Sequence, residues 1–166
     1  IRRRRFVSPA VDGCMIASMN DYDYMRLALA QAEKALATGD VPIGAVAVYR
    51  GEIIGRGYNR READHDPTAH AEMIAIREAA HHLGHWRLDG VTLYCTLEPC
   101  TMCGGAMVLA RLPRLVYAAV DLKAGAAGSI IDVVRHPALN HRVDVTGGLM
   151  ADEATEQLQA FFRTLR

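Results

Sequence analysis

Apolar residues follow two alternating patterns along the chain from residue 21 onward. Some segments carry them at helical spacing, and others are short, nearly continuous apolar runs that are typical of buried strands. The helix-like segments are residues 22–38, 67–83, 99–111, 130–134 and 152–165. The strand-like segments are residues 43–49, 52–58, 91–96, 115–120 and 142–146. This alternation predicts an α/β fold, a three-layer α/β/α sandwich around a central mostly parallel or mixed five-stranded sheet.

Local signals set the expected ends of these helices. We expect Asp21 to cap the first helix and Gly39 to end it. Proline is favoured in the first turn of a helix, so Pro67 and Pro99 are predicted to open the second and third helices.

The last helix-like segment carries an apolar stripe, which we expect to pack on the sheet. Its members are Ala154, Leu158, Phe161 and Leu165.

The charge of the chain is balanced overall but uneven along its length. The 166 residues include 19 Lys and Arg against 19 Asp and Glu. Residues 1–20 hold four arginines and one aspartate, so the rest, with 15 basic and 18 acidic residues, has a net charge of −3. A slightly acidic body excludes the broad basic surface that wraps duplex DNA, but it allows a local nucleic-acid site.

Hydropathy and cysteine count bear on the cellular setting. No apolar stretch approaches the roughly 18 residues that a membrane-spanning helix requires, so no membrane association is expected. Four cysteines are too few for a disulfide scaffold in a chain of this length. We therefore expect a cytoplasmic protein.

Three side chains form a candidate metal site. Cys100 and Cys103 are three residues apart near a predicted helix start, and His70 lies near the start of another. Three nitrogen and sulfur ligands without an evident fourth are typical of catalytic zinc, where water takes the open position. Cys95 lies within a predicted strand, so we expect it to belong to the core.

Glu72 follows His70 by two positions, a spacing that does not place both on one face of a helix. Both reach one metal only if the metal lies beyond the helix end. A carboxylate there can take a proton from zinc-activated water and return it to a leaving group. Taken singly, a Cys-x-x-Cys pair is also typical of redox proteins or structural zinc sites, but the combination with His70 and Glu72 favours catalysis.

The combination H-A-E at residues 70–72 and P-C-x-x-C at residues 99–103 resembles the zinc-dependent cytidine and deoxycytidylate deaminase superfamily. Flanking segments resemble bacterial tRNA-specific adenosine deaminases in particular. These segments are residues 41–45 (VPIGA), 58–60 (YNR), 66–72 (DPTAHAE), 96–100 (TLEPC), 125–129 (GAAGS), 140–143 (NHRV) and 161–163 (FFR).

The resemblance implies a cytidine deaminase-like fold in a single deaminase domain at residues 21–166, with residues 1–20 a disordered extension. It implies that one Zn²⁺ per subunit binds His70, Cys100 and Cys103, and that Glu72 is the proton shuttle.

The resemblance also implies a substrate. Family members deaminate the wobble adenosine of a tRNA anticodon to inosine and act as homodimers, and arginine tRNA is the expected substrate. Asn59 is expected to contact the target nucleotide, and Asp121 and Lys123 to line the anticodon-loop groove.

Two alternatives use the same metal residues. A free-base or nucleoside deaminase for guanine or cytosine would share the zinc and the glutamate, so only the flanking segments favour tRNA. A non-catalytic zinc module that binds RNA is the other alternative. The presence of Glu72 and the absence of an evident fourth ligand argue against it.

Overall fold

The computed structural model describes residues 19–165, so the predicted extension at residues 1–20 lies outside the described residues except for Met19 and Asn20. The helices are α1 (Asp21–Ala35), continued by a 3₁₀ turn (Leu36–Thr38), α2 (Arg61–Asp64), α3 (Ala71–Leu83), α4 (Thr101–Leu109) and α5 (Ala151–Thr164). The strands are β1 (Gly44–Tyr49), β2 (Glu52–Tyr58), β3 (Val91–Leu97), β4 (Arg114–Ala119) and β5 (Asp144–Gly147).

The five strands form one mixed sheet in the order β2-β1-β3-β4-β5. β1 pairs antiparallel with β2 and with β3, whereas β3-β4 and β4-β5 are parallel pairs. The predicted fold class is therefore confirmed, with the mixed alternative correct. β3 lies at the centre, and its C-terminal end leads directly into Cys100.

The alternation of side chains along β1 explains the three layers. Ala45 and Ala47 point into an apolar cluster formed with α3 and α4, and Val46 and Val48 point into a second cluster formed with α1 and α5. All four side chains are buried, because helices cover both faces of the strand.

Helix α3 lies very close to β2, and glycine makes this approach possible. A Cβ atom on Gly57 would overlap the carbonyl oxygen of Ala71, the first residue of α3. The missing side chain lets the start of α3 rest directly on the sheet. This contact positions His70 and Glu72, which flank Ala71 in the chain.

The outer edge of the sheet at β2 is partly blocked. Arg56 donates its backbone N–H to the Glu78 carboxylate on α3, with a nitrogen–oxygen distance of 2.7 Å. A side chain from the covering helix therefore satisfies an edge amide that would otherwise face outward.

Two predicted helix starts were wrong. Helix α3 begins at Ala71 rather than Pro67, because Asp66 forms a turn in which its carboxylate accepts both the N–H and the hydroxyl of Thr68 at 2.7 Å. Helix α4 begins at Thr101 rather than Pro99. Pro67 belongs to a turn that precedes its helix, whereas Pro99 lies in the irregular segment between β3 and α4.

Further differences concern caps and loops. Asn20, not Asp21, caps α1, and it forms a capping box with Asp23. Residues 130–134 form no helix; the backbone N–H of Gly128 instead donates to the Ile131 carbonyl oxygen in an irregular loop.

The end of α5 departs from the expected packing. Ala154 is buried as predicted. Leu165, by contrast, is 67% exposed and does not belong to the apolar cluster between α5 and the sheet. The last turn of α5 instead borders a groove, and the residues that line this groove include Asn59, Phe161 and Phe162. Among residues 19–165, no helix is both long and apolar enough to cross a membrane.

Candidate metal centre and adjoining cavity

His70, Cys100 and Cys103 come together at the ends of two helices. His70 is the N-cap residue of α3, Cys100 is the N-cap residue of α4, and Cys103 lies in the first turn of α4. The His70 Nδ1 atom lies 3.6 Å from each sulfur, and the two sulfurs lie 3.7 Å apart. Within the described residues, these three side chains form the group able to hold a metal ion.

The spacing of these donors fits a tetrahedral metal. Zinc–sulfur bonds of about 2.3 Å and zinc–nitrogen bonds of about 2.1 Å at tetrahedral angles place the donors roughly 3.6–3.8 Å apart. The three observed separations agree with that range. Thiolates with an imidazole are also the ligand chemistry that zinc prefers.

Electrostatics favour an ionised sulfur at Cys100, whereas the hydrogen bond with Cys100 and burial raise the pKa of the Cys103 thiol. The N-terminal ends of α3 and α4 carry partial positive charge and converge on the donor atoms. A hydrogen bond from Cys103, reinforced by His70, lowers the pKa of the Cys100 thiol to about 3. The hydrogen bond to Cys100 raises the pKa of His70. Cys95, by contrast, is fully buried in the core, and burial raises the pKa of its thiol.

Glu72 is the second residue of α3, and its carboxyl group belongs to the same site. The side chain is 4% exposed yet borders the cavity next to His70 and Cys100. Burial raises the pKa of Glu72 to about 7. At neutral pH such a group can both accept and donate a proton, which is the property that general acid–base chemistry requires.

A cavity of about 190 Å³ opens beside the metal ligands. This volume is below the roughly 300–1,000 Å³ of common cofactor and drug sites and suits a single small ring system. The lining residues are Val41, Ile43, Asn59, Arg61, His70, Glu72, Leu97, Glu98, Cys100, Asp121 and Ala124.

Of the three predicted nucleotide-binding residues, two line the cavity and one does not. Asn59, at the end of β2, and Asp121, after β4, both line the cavity. Lys123 is exposed and lies outside the lining; its backbone N–H donates to the Asp121 carboxylate at 2.8 Å. The side chain of Asn59 has no hydrogen-bond partner among residues 19–165, so its amide is available to a ligand.

Sequence reasoning missed two buried carboxylates: Glu98, which lines this cavity, and Asp40, which lines the groove beside Asn59 and the end of α5. Asp40 accepts the backbone N–H groups of Glu62 and Ala63 at 2.8 and 3.1 Å and so caps α2. This cap holds Arg61 at the cavity mouth. No local pattern predicts the contact, because 22 residues separate Asp40 from Glu62.

Comparison with known proteins gives a consistent result. A family model described as MafB19-like deaminase matches residues 19–166. The tRNA-specific adenosine deaminase of Bacillus subtilis (strain 168) is 48% identical over 86% of this chain and 89% of its own length. That of Haemophilus influenzae is 45% identical over 94% and 91%.

Solved structures show the same similarity. A structure from studies of A-to-I editing by tRNA:A34 deaminases at the wobble position of transfer RNA has a TM-score of 0.78 and 47% identity, covering 81% of this chain and 98% of that one. A guanine deaminase from Nitrosomonas europaea has a TM-score of 0.74 at 25% identity, covering 86% and 84%.

Proposed function

Because this chain belongs to the MafB19-like deaminase family, together with the tRNA-specific adenosine deaminases, we propose that it hydrolyses adenosine to inosine at the wobble position of a tRNA anticodon. The observation that carries the proposal is the position of Glu72, whose buried carboxyl group borders the same small cavity as His70 and Cys100. The identity of 45–49% to tRNA deaminases, against 25–33% for the guanine deaminases of Nitrosomonas europaea and Bacillus subtilis, favours tRNA as substrate.

We propose zinc as the metal, held by His70, Cys100 and Cys103. A zinc ion held there would supply Lewis-acid chemistry that makes water a stronger nucleophile. The donor separations and the ligand chemistry support this assignment.

In this proposal Glu72 moves the protons. Its carboxylate accepts a proton from the attacking water and delivers it to the ring nitrogen next to C6 of adenine. Glu72 then takes the remaining proton of the added hydroxyl group at C6 and delivers it to the amino group. The C–N bond breaks, and adenosine and water give inosine and ammonia. The pKa of about 7 that burial gives Glu72 suits both directions of transfer.

The residues that line the cavity, or lie close to it in the chain, suggest which side chains contact the substrate. Asn59 offers a free amide to the target nucleotide, and Asp121 borders the same space. Lys123 is exposed two residues after Asp121, and its ammonium group suits a phosphate of the anticodon loop. Arg61 lines the cavity mouth, whereas Arg60 is less available because it pairs with Asp64.

We propose that the protein is a homodimer. Helices α3 and α4 and the loop after α3 border an open, largely apolar groove, the α3–α4 face. It is lined by Ile76, Arg77, Ala80, Trp86, Ala106, Leu109 and Ala110. Trp86 is 60% exposed and Leu109 is 72% exposed, which is typical of a surface covered by a partner. Arginine tRNA as the natural substrate and the cytoplasm as the setting are part of the same proposal.

The decisive experiment measures inosine formation by the zinc-loaded protein on an arginine-tRNA anticodon stem–loop. Free adenosine, cytidine and guanine are assayed in parallel. We expect inosine at the wobble position and no turnover of the small substrates. Turnover of guanine or cytidine alone would show that the substrate is a free base or nucleoside and not tRNA. No turnover of any substrate, with zinc bound, would favour a non-catalytic module.

A further inference from the structure

Glu98 is a buried acid whose polar contacts all run to one distant segment. Its side chain is 1% exposed and lies at the end of β3, two residues before Cys100. One carboxylate oxygen, Oε2, accepts the backbone N–H of Asp121 at 3.1 Å. The other, Oε1, accepts the N–H groups of Ala127 and Ser129 at 3.0 and 3.1 Å. A single side chain thereby holds both ends of residues 121–129, the 121–129 loop.

The loop is shaped to receive this carboxylate. A Cβ atom on Gly125 would lie 2.5 Å from Oε2 of Glu98, so the contact requires glycine. The Ser129 hydroxyl donates to the Asp121 carbonyl oxygen at 3.0 Å and closes the loop around the acid. Next to Glu98, the Pro99 carbonyl oxygen accepts the N–H of Ala126 at 2.8 Å.

The same contacts connect the metal ligands to the cavity wall. Cys100 pairs with Gly125 in an isolated antiparallel bridge, so the turn that carries this ligand is attached to the 121–129 loop. That loop supplies Asp121 and Ala124 to the cavity lining. Movement of the loop would therefore shift the wall that faces a bound nucleotide.

We propose that Glu98 is a positioning residue for substrate binding, which sets the place of Asp121 by holding the 121–129 loop against the metal-bearing turn. The proposal deepens the proposed function and rests on it for the identity of the substrate. Glu98 takes no part in proton transfer here; it acts through the loop.

The chemistry requires a carboxylate rather than an amide. A carboxylate offers acceptors on both oxygens, whereas glutamine replaces one oxygen with an NH₂ donor. In Glu98→Gln the orientation that keeps the bonds to Ala127 and Ser129 turns the NH₂ group toward the N–H of Asp121. Two donors then face each other, and the Asp121 end of the loop is released.

Hydrogen–deuterium exchange and kinetics on the zinc-loaded protein test this. For Glu98→Gln we expect faster exchange confined to residues 119–131, retained zinc, and a KM for the anticodon stem–loop raised about tenfold or more with a much smaller change in kcat. Asp21→Asn is the matched control, because Asp21 also accepts hydrogen bonds, from Tyr94 and Arg114, on the opposite face of the sheet. It should lower the melting temperature without changing exchange at 119–131 or KM.

Three results would overturn the proposal: exchange that rises throughout the protein, an unchanged KM, or loss of zinc in Glu98→Gln. If that variant does not fold, Ser129→Ala decides instead, because it removes only the bond to the Asp121 carbonyl oxygen at an exposed position. It should raise exchange in the same segment and raise KM about threefold, and no change in either would reject the idea. If the wild type does not deaminate the stem–loop, the proposed function fails, and the exchange result alone decides the role of Glu98.

Discussion

His70 and Cys100 are separated by 30 residues, yet Nδ1 of the first lies 3.6 Å from Sγ of the second, and each is the N-cap residue of its helix. The extended backbone of an N-cap turns the side chain beyond the helix end rather than along its flank. Two neighbouring helices whose N-terminal ends lie together can therefore present their N-cap side chains to one ion.

This arrangement predicts which cysteine variants lose the metal. Cys103→Ala should remove zinc and inosine formation together, because two remaining ligands bind zinc weakly. Cys95→Ala is the matched control, since Cys95 is equally buried but belongs to the core. It should retain one zinc per chain. Metal analysis of purified proteins checks both, and zinc retained in Cys103→Ala would contradict the assignment.

Replacement of Glu72 should separate catalysis from metal binding. Glu72→Gln keeps the shape but cannot shuttle a proton, so kcat for inosine formation should fall by about 10²- to 10⁴-fold with zinc still bound. Glu33→Gln makes the same change at an exposed position on α1 and should leave kcat unchanged. Full activity in Glu72→Gln would refute the proton-shuttle role.

Stability should depend on pH through Asp21. Hydrogen bonds from Arg114 lower the pKa of Asp21 in the folded protein, so the ionised carboxylate stabilises the fold above its unfolded pKa. That contribution is lost as the pH falls through the folded-state pKa. Asp21→Asn should therefore reduce stability at pH ~7 by about 1 kcal/mol or less, since the pair is about one-third exposed. Urea unfolding should show this difference shrinking below pH ~4; a constant difference would exclude the ion pair as its cause.

The close packing of α3 on β2 predicts a large effect at Gly57. Gly57→Ala forces a methyl group against the Ala71 carbonyl oxygen and should reduce stability by about 1–3 kcal/mol. It should also reduce activity, because the start of α3 carries His70 and Glu72. Gly105→Ala is the control: its methyl group would meet nothing within 4 Å. Alanine there should stabilise α4 by about 0.5–1 kcal/mol. Thermal unfolding compares the two variants.

The α3–α4 face gives a prediction about assembly. Leu109→Glu places a charge at the centre of an exposed apolar surface and should convert a dimer into monomers. Light scattering coupled to gel filtration measures the mass directly. Leu122→Glu is the control, because Leu122 is 79% exposed and lies outside this face. A monomeric wild type would contradict the proposed homodimer.

The sheet was more predictable than the helix starts. Strand β2 matches its predicted bounds at residues 52–58, because apolar runs between turn signals identify strands locally. Pro67 and Pro99 gave wrong helix starts, because proline is compatible both with the first turn of a helix and with the segment before it. Hydrogen bonds from Thr68 to Asp66 decide the first case.

Long-range carboxylate contacts lie beyond local patterns. Glu98 is 31 residues from Ser129, and Asp40 is 22 residues from Glu62. Contacts between residues so far apart in the chain produce no periodic pattern in the sequence. The grouping of His70, Cys100 and Cys103 was predictable despite similar separations, because histidine and a Cys-x-x-Cys pair have few other chemical uses together.

The contact between Glu78 and the Arg56 amide also bears on how copies of this protein can meet. Free amides on an outer strand act as a template for further strands, which is a common route to ribbons and aggregates. Here one such amide is already occupied by a charged side chain, and the opposite margin of the sheet is the four-residue strand β5. One margin is thus partly blocked and the other is short, which disfavours growth by strand addition. The proposed homodimer would instead use the helical α3–α4 face, so that assembly would stop at two copies.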